Sequence, residues 1–165
     1  MLRIILIIVF WGCISVTFAQ SSKNADHHAL GLEAGKLGLV FHIIYDYRFK
    51  KLNWGLRANA GKNFEKYLEV YQAGAGAYYL LGKKNDHLET GLDLNYFYAD
   101  EISDDQRSGL TIFPVRNANT LFTSGNLGYR HYGARTVFRI GVSKGYIHSV
   151  QNFYTGAYIS FGFTF

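Results

Sequence analysis

The chain has 165 residues, of which 48% are hydrophobic, 17% aromatic and only 18% charged, with 18 glycines against a single proline. That mix excludes a disordered or collagen-like chain, and the length suits one domain. Seventeen Lys and Arg against twelve Asp and Glu leave a charge of +5, but the cations are scattered along the chain, which argues against nucleic acid as a partner. The single cysteine, Cys13, excludes an internal disulfide and a thiolate zinc site.

Residues 1–19 read as the first element. Arg3 is the only charge before Lys23, and an apolar run from Ile4 to Phe10 gives way to smaller residues and then Thr17, Phe18 and Ala19. This is the pattern of a secretory signal peptide, with cleavage expected after Ala19 because Thr17 and Ala19 present small side chains to the peptidase. Gly12, Ser15 and Thr17 interrupt the run, which falls short of the roughly 20 apolar residues a spanning helix needs. Gly12-Cys13 makes a crude lipobox, yet the apolar segment continues beyond it through Ile14, Val16 and Phe18. Residues 20–29 form a lead-in, where His27 and His28 are too few ligands to define a metal site.

Residues 30–165 show period-two alternation almost throughout and no sustained helical spacing, so they read as all-β. The first two strands run from Leu30 to Gly35 and from Leu39 to Phe49, and the third from Trp54 to Gly61. A fourth spans Tyr71 to Leu81, a fifth Leu88 to Tyr98, a sixth Leu121 to Arg130, a seventh Phe138 to Val142, and the eighth closes the chain from Ala157 to Phe165. Short links around Lys50–Asn53, Gly82–Asp86 and Tyr132–Ala134 demand antiparallel neighbours, hence an up-and-down meander. The one long link, Asp100 to Ala118, holds the only proline, Pro114. With the termini on one side, the three short links share that side and the long loop lies opposite, as in an outer-membrane barrel.

Alternation alone does not separate a membrane barrel, apolar outside, from a soluble barrel that is apolar inside. The polar face decides. Lys36, Lys50, Lys51, Lys62, Lys66, Lys83 and Lys84 fall at or near strand ends and turns, whereas mid-strand polar positions are mostly Gly, Asn, Ser and Gln with a few Arg and acids. Such a face suits a narrow lumen filled by short side chains and paired charges. Tyr45, Tyr47, Phe49, Tyr96, Tyr98, Tyr129, Tyr132 and Tyr154 lie near strand ends, where rings settle at headgroup level, although Tyr and Phe also favour ordinary strands.

At the chain end Phe165 is preceded at two-residue steps by Phe163, Phe161, Ile159 and Ala157. This resembles the C-terminal signature of outer-membrane proteins, an amphipathic last strand ending in Phe that the barrel-assembly machinery reads. Together with Gly31-Leu32-Glu33-Ala34-Gly35, Tyr45-Asp46-Tyr47-Arg48-Phe49 and Gly128-Tyr129-Arg130, it makes the chain resemble the small OmpA/OmpX-type barrels in the versions without a periplasmic domain. The resemblance implies an eight-stranded antiparallel up-and-down transmembrane β-barrel behind a cleaved signal peptide. It further implies Sec export, location in the outer membrane of a Gram-negative bacterium, and a monomer surrounded by outer-membrane lipid and lipopolysaccharide.

Strand parity points Glu33, Asp46, Glu89 and Asp93 into the lumen with Arg48, Arg57, Arg130 and Arg139, four acids against four arginines. Guanidinium groups bridging carboxylates would plug a lumen of this size; a gated channel is the alternative. His131, His148 and Ser149 raise the question of a lipid A deacylase, since some eight-stranded barrels are such enzymes. The His-x-Ser spacing of those enzymes is absent here, and neighbouring strand residues point to opposite faces. Asp100, Glu101, Asp104 and Asp105 cluster in the long loop, but the glycine and bidentate acid of a calcium loop are missing. A solvated surface loop is expected, whose partner the sequence does not name. The expectation is a non-enzymatic barrel without catalytic, metal or cofactor residues, acting in envelope structure or surface interaction. A lipid A-modifying hydrolase, a narrow channel and a soluble periplasmic lipophile-binding barrel remain as alternatives.

Overall fold

The structure is a computed structural model that describes residues 28–36, 40–49, 52–63, 68–101 and 118–165. The proposed signal peptide, His27, Asp104 and Asp105 lie outside the described residues. Eight strands follow one another: β1 His28–Gly35, β2 Val40–Arg48, β3 Trp54–Asn63, β4 Leu68–Lys83, β5 Asp86–Glu101, β6 Ala118–Tyr132, β7 Thr136–Ile147 and β8 Asn152–Thr164. Each pairs antiparallel with its sequence neighbours, and β1 pairs with β8, closing the barrel. Closure satisfies the backbone of every strand and leaves no free edge.

The strands alternate as a two-sided wall requires. In β2, Val40, His42, Ile44 and Asp46 are buried while Phe41, Ile43 and Tyr45 are exposed. Across the barrel the outward positions are large and apolar: Leu32 is 65% exposed and Leu92 is 69% exposed. The inward positions are largely polar, with Glu33, Asp46, Arg57, Glu89, Asp93, Arg130 and Arg139 all buried. A folded chain in water places these two sets the other way round.

Several strands outrun the alternation seen in the sequence. β4 and β5 reach 16 residues each and pair to Leu68↔Glu101, so Asp100 and Glu101 end a strand and do not belong to the loop. β1 begins at His28, two residues ahead of Leu30, and β7 extends to Ile147. The β4–β5 hairpin turns on Lys84 at φ 60°, a left-handed residue that matches the twist of a tight two-residue connection.

Inside, the lumen is layered. Towards the end that carries the 102–117 link, Val40, Val70, Phe97, Phe122 and Ile147 form an apolar plug against which Tyr154 packs. Below it His42 meets Gln72 at 2.6 Å, and the Gln72 amide donates to Asn59 and Asn95 at 2.7 and 2.8 Å. The charged side chains occupy the middle of the barrel.

Candidate functional site

The interior charges form one lattice. Arg57 Nε donates to Asp46 Oδ1 and Arg57 Nη2 to Glu89 Oε1, both at 2.8 Å. Arg130 reaches the same two acids, Glu89 at 2.6 Å and Asp46 at 2.8 Å. Arg139 donates to both oxygens of Glu89, at 2.8 and 3.2 Å, and to Glu33 Oε2 at 2.9 Å. Glu89, 1% exposed, is therefore the hub on which three guanidinium groups converge. Buried charges are tolerated when each is paired and hydrogen-bonded, and planar guanidinium forks do this best.

The fourth cation of the lattice is Lys36. Sequence position assigns it to a turn, yet it is 3% exposed, with Nζ 2.6 Å from Asp93 Oδ2 and 3.2 Å from Glu33 Oε1. The backbone explains this: Gly35 has φ 105° and Lys36 φ 64°, which reverses the chain at the top of β1 and turns the side chain inward. Its N–H donates to Ala157 O at 2.8 Å, and Gly156 makes the approach feasible, because a Cβ there would lie 1.6 Å from Lys36 O. Arg48, expected in the network, instead lies half-buried at the other mouth, its guanidinium 5.4 Å from the Tyr132 ring centre. Exchanging Arg48 for Lys36 leaves four acids facing four cations.

Two tyrosines complete the lattice. Tyr78 lies between Arg57 and Arg130, with cation–ring distances of 5.1 and 4.2 Å, and Tyr158 between Lys36 and Arg139, at 5.4 and 5.1 Å. Room for them comes from inward glycines: a Cβ on Gly55 would strike Tyr78, and one on Gly128 or Gly141 would strike the Tyr158 hydroxyl. Every strand thus supplies at least one member, from Glu33 on β1, with Lys36 just past its end, to Tyr158 on β8.

The outer wall has its own pattern. Tyr47, Trp54, Tyr79, Tyr129 and Phe163 stand near the strand ends at the terminus side, while Tyr71, Tyr96, Tyr98, Tyr146 and Phe153 stand towards the opposite side. Leu, Ile, Val and Ala fill the band between these girdles. Two rings expected in a girdle turn inward: Tyr132 accepts a bond from Arg130 at 2.8 Å, and Tyr154 packs on the apolar plug. The last strand presents Ala157, Ile159, Phe161 and Phe163 outward. Phe165 N donates to His28 O at 2.9 Å and its ring stacks on His28 at 5.7 Å, fastening the seam between first and last strands.

The fold has counterparts among solved structures. The N-terminal β-barrel domain of Pseudomonas aeruginosa OprF aligns with a TM-score of 0.60 at 11% identity, covering 86% of this chain and 100% of that chain. Neisserial surface protein A aligns with a TM-score of 0.54 at 16% identity, covering 87% and 100%. The fold is that of the small outer-membrane barrels. No protein-family model matches the chain, and no curated protein is detectably similar to it in sequence.

The remaining sequence candidates are dispersed. His148 and Ser149 lie together in the β7–β8 turn, where His148 Nε2 meets Thr123 Oγ1 at 3.2 Å and Ser149 N donates to Thr120 Oγ1 at 3.0 Å. His131 stands 2.8 Å from Asp86 on the outside of the opposite end. Among the described residues no group of three or more His, Cys, Asp or Glu is placed to hold a metal ion.

Proposed function

We propose that the protein is a non-enzymatic integral barrel of the Gram-negative outer membrane whose lumen is sealed and whose work is done at its surface. The observation that carries this reading is the inversion of the fold: a buried charge lattice inside and a continuous Leu, Ile, Phe and Tyr wall outside. Exposed apolar area of that extent has hydrocarbon as its natural solvent. The lattice places paired charges, with Arg139 held on both oxygens of Glu89, across the middle of the bore, which supports a sealed lumen. In this reading the barrel is a rigid stake in outer-membrane lipid and lipopolysaccharide. It is inserted by the barrel-assembly machinery through the Ala157–Phe165 strand, and it holds the 102–117 link and its neighbouring loops outside the cell.

Expression with the native leader, followed by membrane fractionation and gel migration with and without boiling, tests the location. An outer-membrane band that shifts on heating is expected, and a soluble product without a shift overturns the reading. Planar-bilayer recording tests the sealed lumen: the folded barrel is expected to give no current steps, and regular unitary steps would make it a channel.

A further inference from the structure

The outer wall carries a groove. A depression of about 460 Å³ crosses from Trp54 and Tyr79 near the terminus end, over Thr90 and Gly125, to Lys144 near the other end. It follows the inter-strand register: Trp54↔Tyr79↔Thr90↔Leu127 forms one border and Leu92↔Gly125↔Lys144 the other. With strands about 4.8 Å apart, the four steps from β3 to β7 span roughly 19 Å, rising obliquely because barrel strands tilt.

Gly125 opens this groove, and packing does not require it. A Cβ on Gly125 would meet its nearest atom, Leu92 Cδ2, at 3.9 Å, whereas most inward glycines would collide with backbone or rings. Glycine weakens a strand, so an outward mid-strand glycine with open space above it costs stability and leaves a trough in return. Its register partner is Lys144, an exposed cation on the apolar wall. Cations there are costly in lipid and reach for the interface. Lys62, an outward lysine on β3, is paired with Glu69 at 2.9 Å. Lys144 has no carboxylate against it among the described residues; its Nζ lies 5.9 Å from the Phe153 ring centre, at the girdle on the loop side.

We propose that this groove is a binding site for one acyl chain of a phosphorylated outer-leaflet lipid, with the phosphate held by Lys144 and the chain laid over Gly125 towards Trp54. The inference rests on the membrane reading above and adds a specific lipid site to it. The length matches a chain of about a dozen or more carbons, and the charge sits at the end where outer-leaflet headgroups lie.

The test uses Trp54 as reporter. The full chain carrying Trp11→Phe has Trp54 as its one tryptophan, and it is refolded into phosphatidylcholine vesicles containing lipid A brominated near its chain ends. Quenching that saturates at low lipid A mole fraction is expected, while brominated phosphatidylcholine quenches only in proportion to its abundance. Lys144→Gln is expected to raise the half-saturating fraction about fivefold, as does removal of the lipid A phosphates. Gly125→Leu, or Gly125→Val should leucine impair folding, is expected to abolish the saturable component while keeping the heat-modifiable band. Proportional quenching by lipid A, or saturation unchanged in both variants, overturns the site and leaves the membrane reading intact. Failure of the parent chain to insert into vesicles overturns both.

Discussion

Glu89 concentrates the energetics of the interior in one side chain. Its carboxylate accepts from Arg57, Arg130 and Arg139, so truncation leaves three buried guanidinium groups short of their shared counter-charge. Glu89→Ala is expected to lower stability by about 3–5 kcal/mol, read as the shift in urea midpoint of the refolded barrel in micelles. Lys36→Met is expected to cost less, because Glu33 keeps Arg139 and Asp93 keeps Asn126 at 2.8 Å. An equal loss for both variants would refute the hub. Seven of the eight lattice charges were legible from strand parity alone, since a one-residue step decides inside from outside. Lys36 was not, because its place depends on a left-handed backbone at the top of β1 that alternation does not encode. Arg48 has the right parity but lies at the mouth, against the Tyr132 ring.

At the scale of strands and turns, two glycines make opposite demands. Gly156 on β8 lets the Lys36 turn close against it, so Gly156→Ala is expected to destabilise by about 1–3 kcal/mol through overpacking and to weaken the β1–β8 seam. Gly125→Ala, the same chemical change on β6, is expected to stay within about 0.5 kcal/mol of the parent. Comparing their unfolding midpoints checks both, and a similar cost at the two sites would contradict the packing described. The eight strands were visible as alternation, whereas their lengths were less so. Alternation carries β7 only to Val142, because Ser143, Lys144 and Gly145 break the apolar rhythm. The break falls where Lys144 faces outward at the groove, so the residue that obscured the strand is the one that gives its outer face chemistry. β5 ran further than expected because Ala99 to Glu101 continue to pair with β4 after the aromatic pattern ends.

For the molecule as a whole, lattice and closure predict a single transition. The charged members on β1, β2, β3, β5, β6 and β7 are coupled through shared carboxylates, and β4 and β8 join through the Tyr78 and Tyr158 rings, so loss of one strand removes partners from the rest. Trp54 fluorescence and strand circular dichroism are expected to give coincident urea curves; separated curves would mean that part of the barrel melts alone. The overall architecture was readable because an outer-membrane wall and a polar bore impose one pattern on every strand. What the loops do was not, because loop sequences carry no such periodic constraint.

The seam between β1 and β8 gives the lattice a place in time as well as in space. Glu33 comes from the first strand, Lys36 from the bend that follows it and Tyr158 from the last strand, so these groups can meet only when the two ends of the sheet do. Before that moment Arg139 lacks Glu33 and Asp93 lacks Lys36, and an unsealed sheet in lipid would carry unmatched charge along its open side. Completion of the ring is therefore also its neutralisation. A chain that stalls one strand short remains electrically marked as unfinished.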